Sequence, residues 1–234
     1  MAINSLLTEK ILLITGGTGS FGQTFAKAAL GLKPRKVIIY SRGELLQWEM
    51  QQKFNDPRLE FVVGDVRDRQ RLIDVADVDI IIHAAALKQI PVGETQPSEV
   101  IKTNVLGSMN VMDAAIANDV DKVIGISSDK ACHPINLYGA TKLTMEKLFA
   151  ASGPQFACVR YGNVANSRGS VIPLFLKQRE TGTLTITDEQ MTRFWITLEQ
   201  AVKLVLTALE EMRNEELFIP IIPSFKVSDL AEVI

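Results

Sequence analysis

Short apolar runs recur along the chain, separated by stretches in which polar and apolar residues mix. Lys10–Thr15 (KILLIT), Lys36–Tyr40 (KVIIY), Glu60–Gly64 (EFVVG), Asp79–His83 (DIIIH), Lys122–Ser127 and Phe156–Arg160 have the length and branched-aliphatic content of strands buried on both faces. Between them Gln23–Leu30, Leu45–Phe54, Arg69–Val75, Pro97–Asn118 and Asn136–Ala151 read as helices. Repeated β–α units join through right-handed crossovers, so the pattern predicts an α/β fold with a doubly wound parallel sheet covered on both faces. Beyond Tyr161 the rhythm changes. Val171–Thr181 reads as a helix and Leu184–Ile186 as a short strand. Thr197 and Gln200 make a capping box that opens an amphipathic helix running to near Met212. Glu216–Ile219 is expected to be another strand, with a last helix from Val227 or Ser228.

The first strand runs straight into Gly16-Gly17-Thr18-Gly19-Ser20-Phe21-Gly22, and a helix follows. Gly16 permits the tight turn, Gly19 lets backbone approach a pyrophosphate, and Gly22 lets helix and strand pack closely. The helix start supplies amides and a positive dipole that anions favour. The spacing is GxxGxxG rather than GxGxxG, and the strand–loop–helix order gives it weight as a dinucleotide cradle. Proteins that bind NAD commonly place an acid about twenty residues past this loop, for the ribose diol. Here the second strand ends in Tyr40-Ser41-Arg42-Gly43-Glu44. A hydroxyl and a guanidinium suit a 2′-phosphate, so NADP is expected in preference to NAD. Asp65 and Val66 follow the third strand, placed to touch the adenine. Ala84, Ala85 and Ala86 follow the fourth and leave room for a cofactor against the backbone, with Lys88 just beyond. His83, at the end of an apolar run with no evident carboxylate partner, is expected to be a packed residue.

Composition is that of an ordinary globular chain: 234 residues, 47% hydrophobic, 22% charged, net charge −2. That balance gives no electrostatic case for nucleic acid or an anionic membrane. No apolar run is long enough to cross a bilayer, and the start of the chain lacks the pattern of a signal peptide. Cys132 and Cys158 have no metal-ligand spacing, so no metal is expected, and two cysteines fit a reducing cytoplasm. Cys132 is expected to be a small packing residue.

The densest chemistry lies between Ser127-Ser128-Asp129-Lys130 and Tyr138-Gly139-Ala140-Thr141-Lys142. Tyr138 and Lys142 are four apart, on one face of the predicted helix. An ammonium there can lower the phenol's pKa, so that Tyr138 exchanges a proton with a substrate alcohol. Asp129 and Lys130 add a second acid/base couple, and two couples suggest elimination as well as hydride transfer. The structural alternative is a loop-stabilising salt bridge between the two neighbours.

The set GGTGSFG, YSRGE, GDVRD, HAAALKQIP, TNVLGS, SSDKACHPINLYGATK, RYGNVANSRGSVIP and MTRFW resembles the extended short-chain dehydrogenase/reductases, from about Lys10 to Ile234. Among these it is most similar to the UDP-N-acetylglucosamine 4,6-dehydratases of the C5-inverting, pseudaminic acid type. The resemblance implies a Rossmann domain over residues 1–163 and a small substrate lobe over 164–234, interleaved with the sheet and shortened where the chain stops at Ile234. It implies cofactor contacts at Thr18 to Phe21, Ser41, Arg42, Asp65, Val66, Ala86, Tyr138 and Lys142, with Lys88 touching cofactor and substrate. Asn163, Val171, Ile172, Pro173, Leu174, Phe175 and Thr187 would hold the UDP-hexosamine, and Arg193 is a candidate partner for its diphosphate. Asn104 would shape the active-site helix. The implied reaction is oxidation at C4 by Tyr138, Lys142 and NADP, with Ser128 near O4. Loss of water across C5 and C6 follows, with Lys130 as base and Asp129 as acid, and hydride then returns to C6. The family usually has Thr in place of Ser128 and commonly His in place of Gln89, and the Ser152–Gln155 connection is short. A UDP-sugar 4-epimerase or reductase, or a non-catalytic NADP-binding protein, is the alternative. A homo-oligomer, at least a dimer, is expected.

Overall fold

The computed structural model describes residues 5–165 and 171–234. Residues 166–170, within the RYGNVANSRGSVIP stretch, lie outside that description. Six apolar runs form the expected strands β1 (Ile11–Thr15), β2 (Lys36–Ser41), β3 (Leu59–Val63), β4 (Ile80–His83), β5 (Lys122–Ile126) and β6 (Phe156–Val159). Shorter strands follow as β7 (Asn163–Val164), β8 (Thr192–Ile196), β9 (Leu217–Phe218) and β10 (Ser224–Lys226). The main sheet is ordered β3-β2-β1-β4-β5-β6-β9, and a small second sheet is ordered β10-β8-β7. Every pairing in the main sheet is parallel. Strand order reverses beside β1, where Thr15 lies next to His83 of β4. A crevice must open at the carboxyl ends of the strands there.

Helices α1 (Ser20–Gly31), α2 (Glu44–Phe54), α3 (Arg69–Val75), α4 (Ile90–Thr95), α5 (Pro97–Ile101), α6 (Gly107–Ala117), α7 (Leu137–Ala150), α8 (Val171–Arg179), α9 (Leu198–Glu211) and α10 (Val227–Val233) complete the chain. Because strand side chains alternate, Leu12 and Ile14 meet Phe25 and Ala29 of α1 and Val205 and Leu209 of α9 on one face. Leu13 points the other way, into a core with Leu72 of α3, Val111 of α6 and Phe149 of α7. Phe149 is fully buried, its ring edge-on to Phe156 at 5.4 Å. Truncating it to alanine would cost roughly 3–5 kcal/mol.

Four elements depart from the sequence expectation. The helix predicted over Pro97–Asn118 is interrupted by a π-helical turn at Lys102–Leu106. The first helix begins at Ser20 rather than Gln23. An unexpected helix, α4, starts with Pro91 in its first turn, a position where the missing N–H is harmless. Leu184–Ile186 is irregular, and the nearby strand is β8 instead. The alternation at Leu184 and Ile186 has no partner strand, whereas β8 pairs with β7 on one side and β10 on the other.

Candidate active site

A cavity of about 710 Å³ opens where the strand order reverses. Gly16 takes a φ of +67°, and a Cβ built there would lie 2.8 Å from the Ala85 backbone. A Cβ on Gly22 would lie 2.6 Å from Gly17, so only glycines let the loop double back on itself beneath α1. Gly19 caps α1 without a side-chain hydrogen bond, and the helix start turns its positive dipole toward the cavity, where an anion is favoured. Every residue expected to touch the cofactor lines this cavity: Gly16, Thr18 to Gly22, Ser41, Arg42, Asp65, Val66, Ala84 to Ala86, Lys88, Tyr138 and Lys142. Ser128, Lys130 and Asn163 line it too.

At the adenine end Asp65 is committed to Arg67, whose Nη2 lies 2.8 Å away, while Arg42 Nη1 stands off at 3.8 Å. Burial would raise the Asp65 carboxyl, but the hydrogen bonds from Arg67 outweigh it and hold the group below its usual range. Arg42, loosely paired with Asp65, keeps its guanidinium half exposed in the cavity lining. The sequence reading passed over Gln47, which is buried on α2 and hydrogen-bonded to Ser41.

At the other end the backbone leaves β5 and turns through a short 3₁₀ segment at Asp129–Ala131, capped by Ser128. Ser128 Oγ donates to Asp129 Oδ1 at 3.0 Å, and Lys130 Nζ donates to the same oxygen at 3.1 Å and to Asn163 Oδ1 at 3.0 Å. Both readings of the Asp129–Lys130 couple start from that contact. Lys130 lines the cavity and Asp129 lies behind it. Asn136 caps α7 by accepting from Gly139 N at 2.8 Å, which seats the helix start against this segment. A Cβ on Gly139 would lie 2.1 Å from the Lys130 carbonyl oxygen.

Burial governs the ionisable groups around Tyr138. Burial pushes the Tyr138 phenol up to about 12, only partly offset by a hydrogen bond with Ser128. Lys142 Nζ donates to the Ile126 carbonyl at 2.6 Å. Burial also brings Lys142 down to about 8. Lys88 is lowered as well, by burial and by the neighbouring charge of Lys130.

Around these groups lies a supporting layer. Asn104, in the π-helical turn, accepts from Leu87 N at 2.8 Å and donates to Leu87 O at 2.9 Å and Thr141 Oγ1 at 3.0 Å. It thus ties the loop after β4 to α7, the shaping role expected of it. Ser127 Oγ donates to Glu146 at 2.5 Å, and Glu146 pairs with Arg160. His83 is fully buried between Thr15 Oγ1 at 2.7 Å and Ser108 Oγ at 3.0 Å, and burial pushes it down to about 3. It is a packed residue, as expected. Cys132 is not: it is exposed, because the 3₁₀ turn faces it outward. Thr103, also missed in the sequence, lines the cavity with a buried hydroxyl that has no partner among the described residues. An orphaned donor, a glycine cradle and the positive end of the α1 dipole together fit a long anionic cofactor. Val171, Ile172, Pro173, Leu174, Phe175, Thr187 and Arg193 do not line the cavity, and Phe175 is buried.

No helix among the described residues is long and apolar enough to cross a membrane, and none of their acidic, histidine or cysteine side chains cluster as a metal site. Residues 12–234 match the family described as "Polysaccharide biosynthesis protein". The chain is 52% identical to the UDP-N-acetylglucosamine 4,6-dehydratase (inverting) of Campylobacter jejuni, over 98% of this chain and 72% of that protein. It is 46% identical to a UDP-glucose 4-epimerase of Rickettsia prowazekii, over 98% of this chain and 71% of that one. The X-ray structure of Pen from Bacillus thuringiensis superimposes with a TM-score of 0.94 at 40% identity, covering 97% of this chain and 74% of that one.

Proposed function

Because the chain belongs to the polysaccharide biosynthesis protein family, we propose that it is a nucleotide-sugar 4,6-dehydratase that converts UDP-N-acetylglucosamine to a UDP-4-keto-6-deoxy-hexosamine. The observation that carries this is the hydrogen-bonded run Ser128–Asp129–Lys130 beside Tyr138 at one end of a dinucleotide-sized cavity. A nicotinamide cofactor, held by the glycine loop, Ser41 and Arg42, would supply the hydride acceptor at C4 and the hydride donor at C6. Beside the positive charge that an oxidised nicotinamide would bring, the Tyr138 phenol would ionise and take the C4 hydroxyl proton, while Ser128, hydrogen-bonded to the phenol, would hydrogen-bond O4. The resulting 4-ketone acidifies the C5 hydrogen. Lys130 removes that proton while Asp129, sharing a hydrogen bond with it, protonates the departing C6 hydroxyl as water, and the pair gives the abstracted proton back to C5 when hydride reaches C6. Because the two side chains are coupled, the acid and base labels belong to the pair.

The preferred cofactor is NADP, on the strength of Ser41 and Arg42 at the end of β2 and no acid there. The UDP-hexosamine is assigned to Lys88, Asn163, Val171 to Phe175, Thr187 and Arg193. Support comes from β8, which carries Arg193 and runs beside β7, whose Asn163 and Val164 line the cavity. A dimer or larger assembly in the cytoplasm belongs to the same reading, and the exposed Ile101, Leu106, Met109 and Ile116 along α5, the π-helical turn and α6 suit a subunit contact. The Rickettsia relative favours a second reading, a UDP-sugar 4-epimerase. Product mass separates them, since only the dehydratase loses water.

The test is Lys130→Ala and Asp129→Asn, incubated with NADP and UDP-N-acetylglucosamine and followed by mass and proton NMR. Turnover is expected to fall at least 100-fold, the scale of a lost general acid or base, with cofactor affinity unchanged. Near-normal dehydration by either variant removes the assigned roles.

A further inference from the structure

We propose that Gln47 sets the preference for a 2′-phosphate by fixing the direction of the Ser41 hydroxyl. This rests on the cofactor reading above and names a residue that acts through another. Gln47 is only 4% exposed. Its Nε2 faces three oxygens: Ser41 O at 3.0 Å, Val62 O at 2.9 Å and Ser41 Oγ at 3.0 Å. Two of these are carbonyl oxygens, which only accept, so the amide nitrogen must be the atom on that side. An amide nitrogen does not accept a hydrogen bond. The Ser41 proton therefore has to point away from Gln47, and Ser41 lines the cavity beside Arg42. The end of β2 thus presents an oriented O–H donor and a guanidinium, and the neighbouring Asp65 carboxylate is held by Arg67.

A phosphate dianion offers only acceptors and matches that array with charge-assisted bonds. A ribose 2′-hydroxyl needs an acceptor for its own proton, which a carboxylate at this strand end would provide. Gln47 is not a cofactor contact. It is a positioning residue, and removing its amide frees the Ser41 rotor to turn toward the Ser41 and Val62 carbonyls left without donors.

The experiment measures dissociation constants of the whole chain for NADP and NAD by titration calorimetry, with no turnover needed. The proteins are wild type, Gln47→Met, Ser41→Ala and the double variant, each first checked for folding by circular dichroism. Wild type is expected to bind NADP more tightly. Gln47→Met should lower the NADP-to-NAD affinity ratio about tenfold, Ser41→Ala should do the same, and the double variant should fall no further. An unchanged ratio in Gln47→Met, an equal loss for both cofactors, or additive losses in the double variant overturns the proposal and leaves the NADP assignment standing. Should Gln47→Met not fold, Ser41→Ala still decides: a ratio within twofold of wild type overturns it. Tighter binding of NAD by wild type overturns the cofactor assignment and the proposal together.

Discussion

Substituting Gly139 by alanine should separate activity from stability in a direction opposite to helix propensity. In an exposed helix interior this change stabilises by about 1 kcal/mol. Here the added Cβ would sit 2.1 Å from the Lys130 carbonyl oxygen and 2.9 Å from its carbon, where ordinary contact begins near 3.4 Å. The deficit of roughly 1.3 Å is against backbone, which cannot swing aside as a flexible side chain would. Either α7 lifts or the Asp129–Ala131 turn moves, and both displace Lys130 relative to Tyr138. A misplacement of about 1 Å can cost about 100-fold in rate, and overpacking of this kind costs about 1–3 kcal/mol. Gly139→Ala is therefore expected to lose about two orders of magnitude in kcat, measured by mass-detected dehydration. It should melt earlier and keep NADP affinity, because the glycine loop is untouched. Thr144→Ala, on the exposed side of the same helix, should change neither. A Gly139→Ala protein with wild-type kcat and equal or higher Tm would refute the packing account of this site.

Further outcomes follow from the buried polar groups. Thr103→Val removes a hydroxyl with no partner among the described residues. It should raise stability by about 1 kcal/mol, or Tm by roughly 3 °C, while weakening cofactor or substrate binding several-fold; no change in either melt or titration would contradict that. For His83 the folded value of about 3 lies below the ordinary value of 6.5, because burial disfavours the charged form. The unfolded chain then binds the extra proton, so stability falls as pH drops from about 6.5 toward 3, at up to about 1.4 kcal/mol per unit from this group. Denaturant melts from pH 7 to pH 5 should show wild type losing roughly 2 kcal/mol more than His83→Gln. Parallel profiles would show that His83 is not held neutral.

Most of the scaffold could be read from the chain because its information is local. Buried parallel strands need continuous apolar runs, and the glycine loop needs Gly16 where φ is positive and Gly22 where a Cβ would strike Gly17. The cavity lining follows from strand ends and a helix start, so it was legible as well. What escaped depends on distant partners. Strand β8 is selected by pairing to β7 and β10, while the better alternation at Leu184–Ile186 finds nothing to pair with. Gln47 and Thr103 look like surface polar residues in a helical pattern, and only burial gives them meaning. Gln47 did leave a faint trace, since it is three residues from Met50 on the inward side of α2. Tyr138 shows the limit of motif logic. The spacing to Lys142 was right, but the amine's hydrogen bond to Ile126 and the cost of desolvation depend on atoms that the motif does not contain.

Strand β9 adds itself to the edge of β6, and α9 settles on the same face as α1. The polypeptide that departs at Asn163 thus comes home to finish the layer it left. Cutting it there would not liberate a self-sufficient half: it would bare a raw hydrogen-bonding rim and strip Val205 and Leu209 from the greasy seam they share with Phe25. The segments before and after Asn163 should accordingly melt in a single step, and a molecule grasped by one will steady the other.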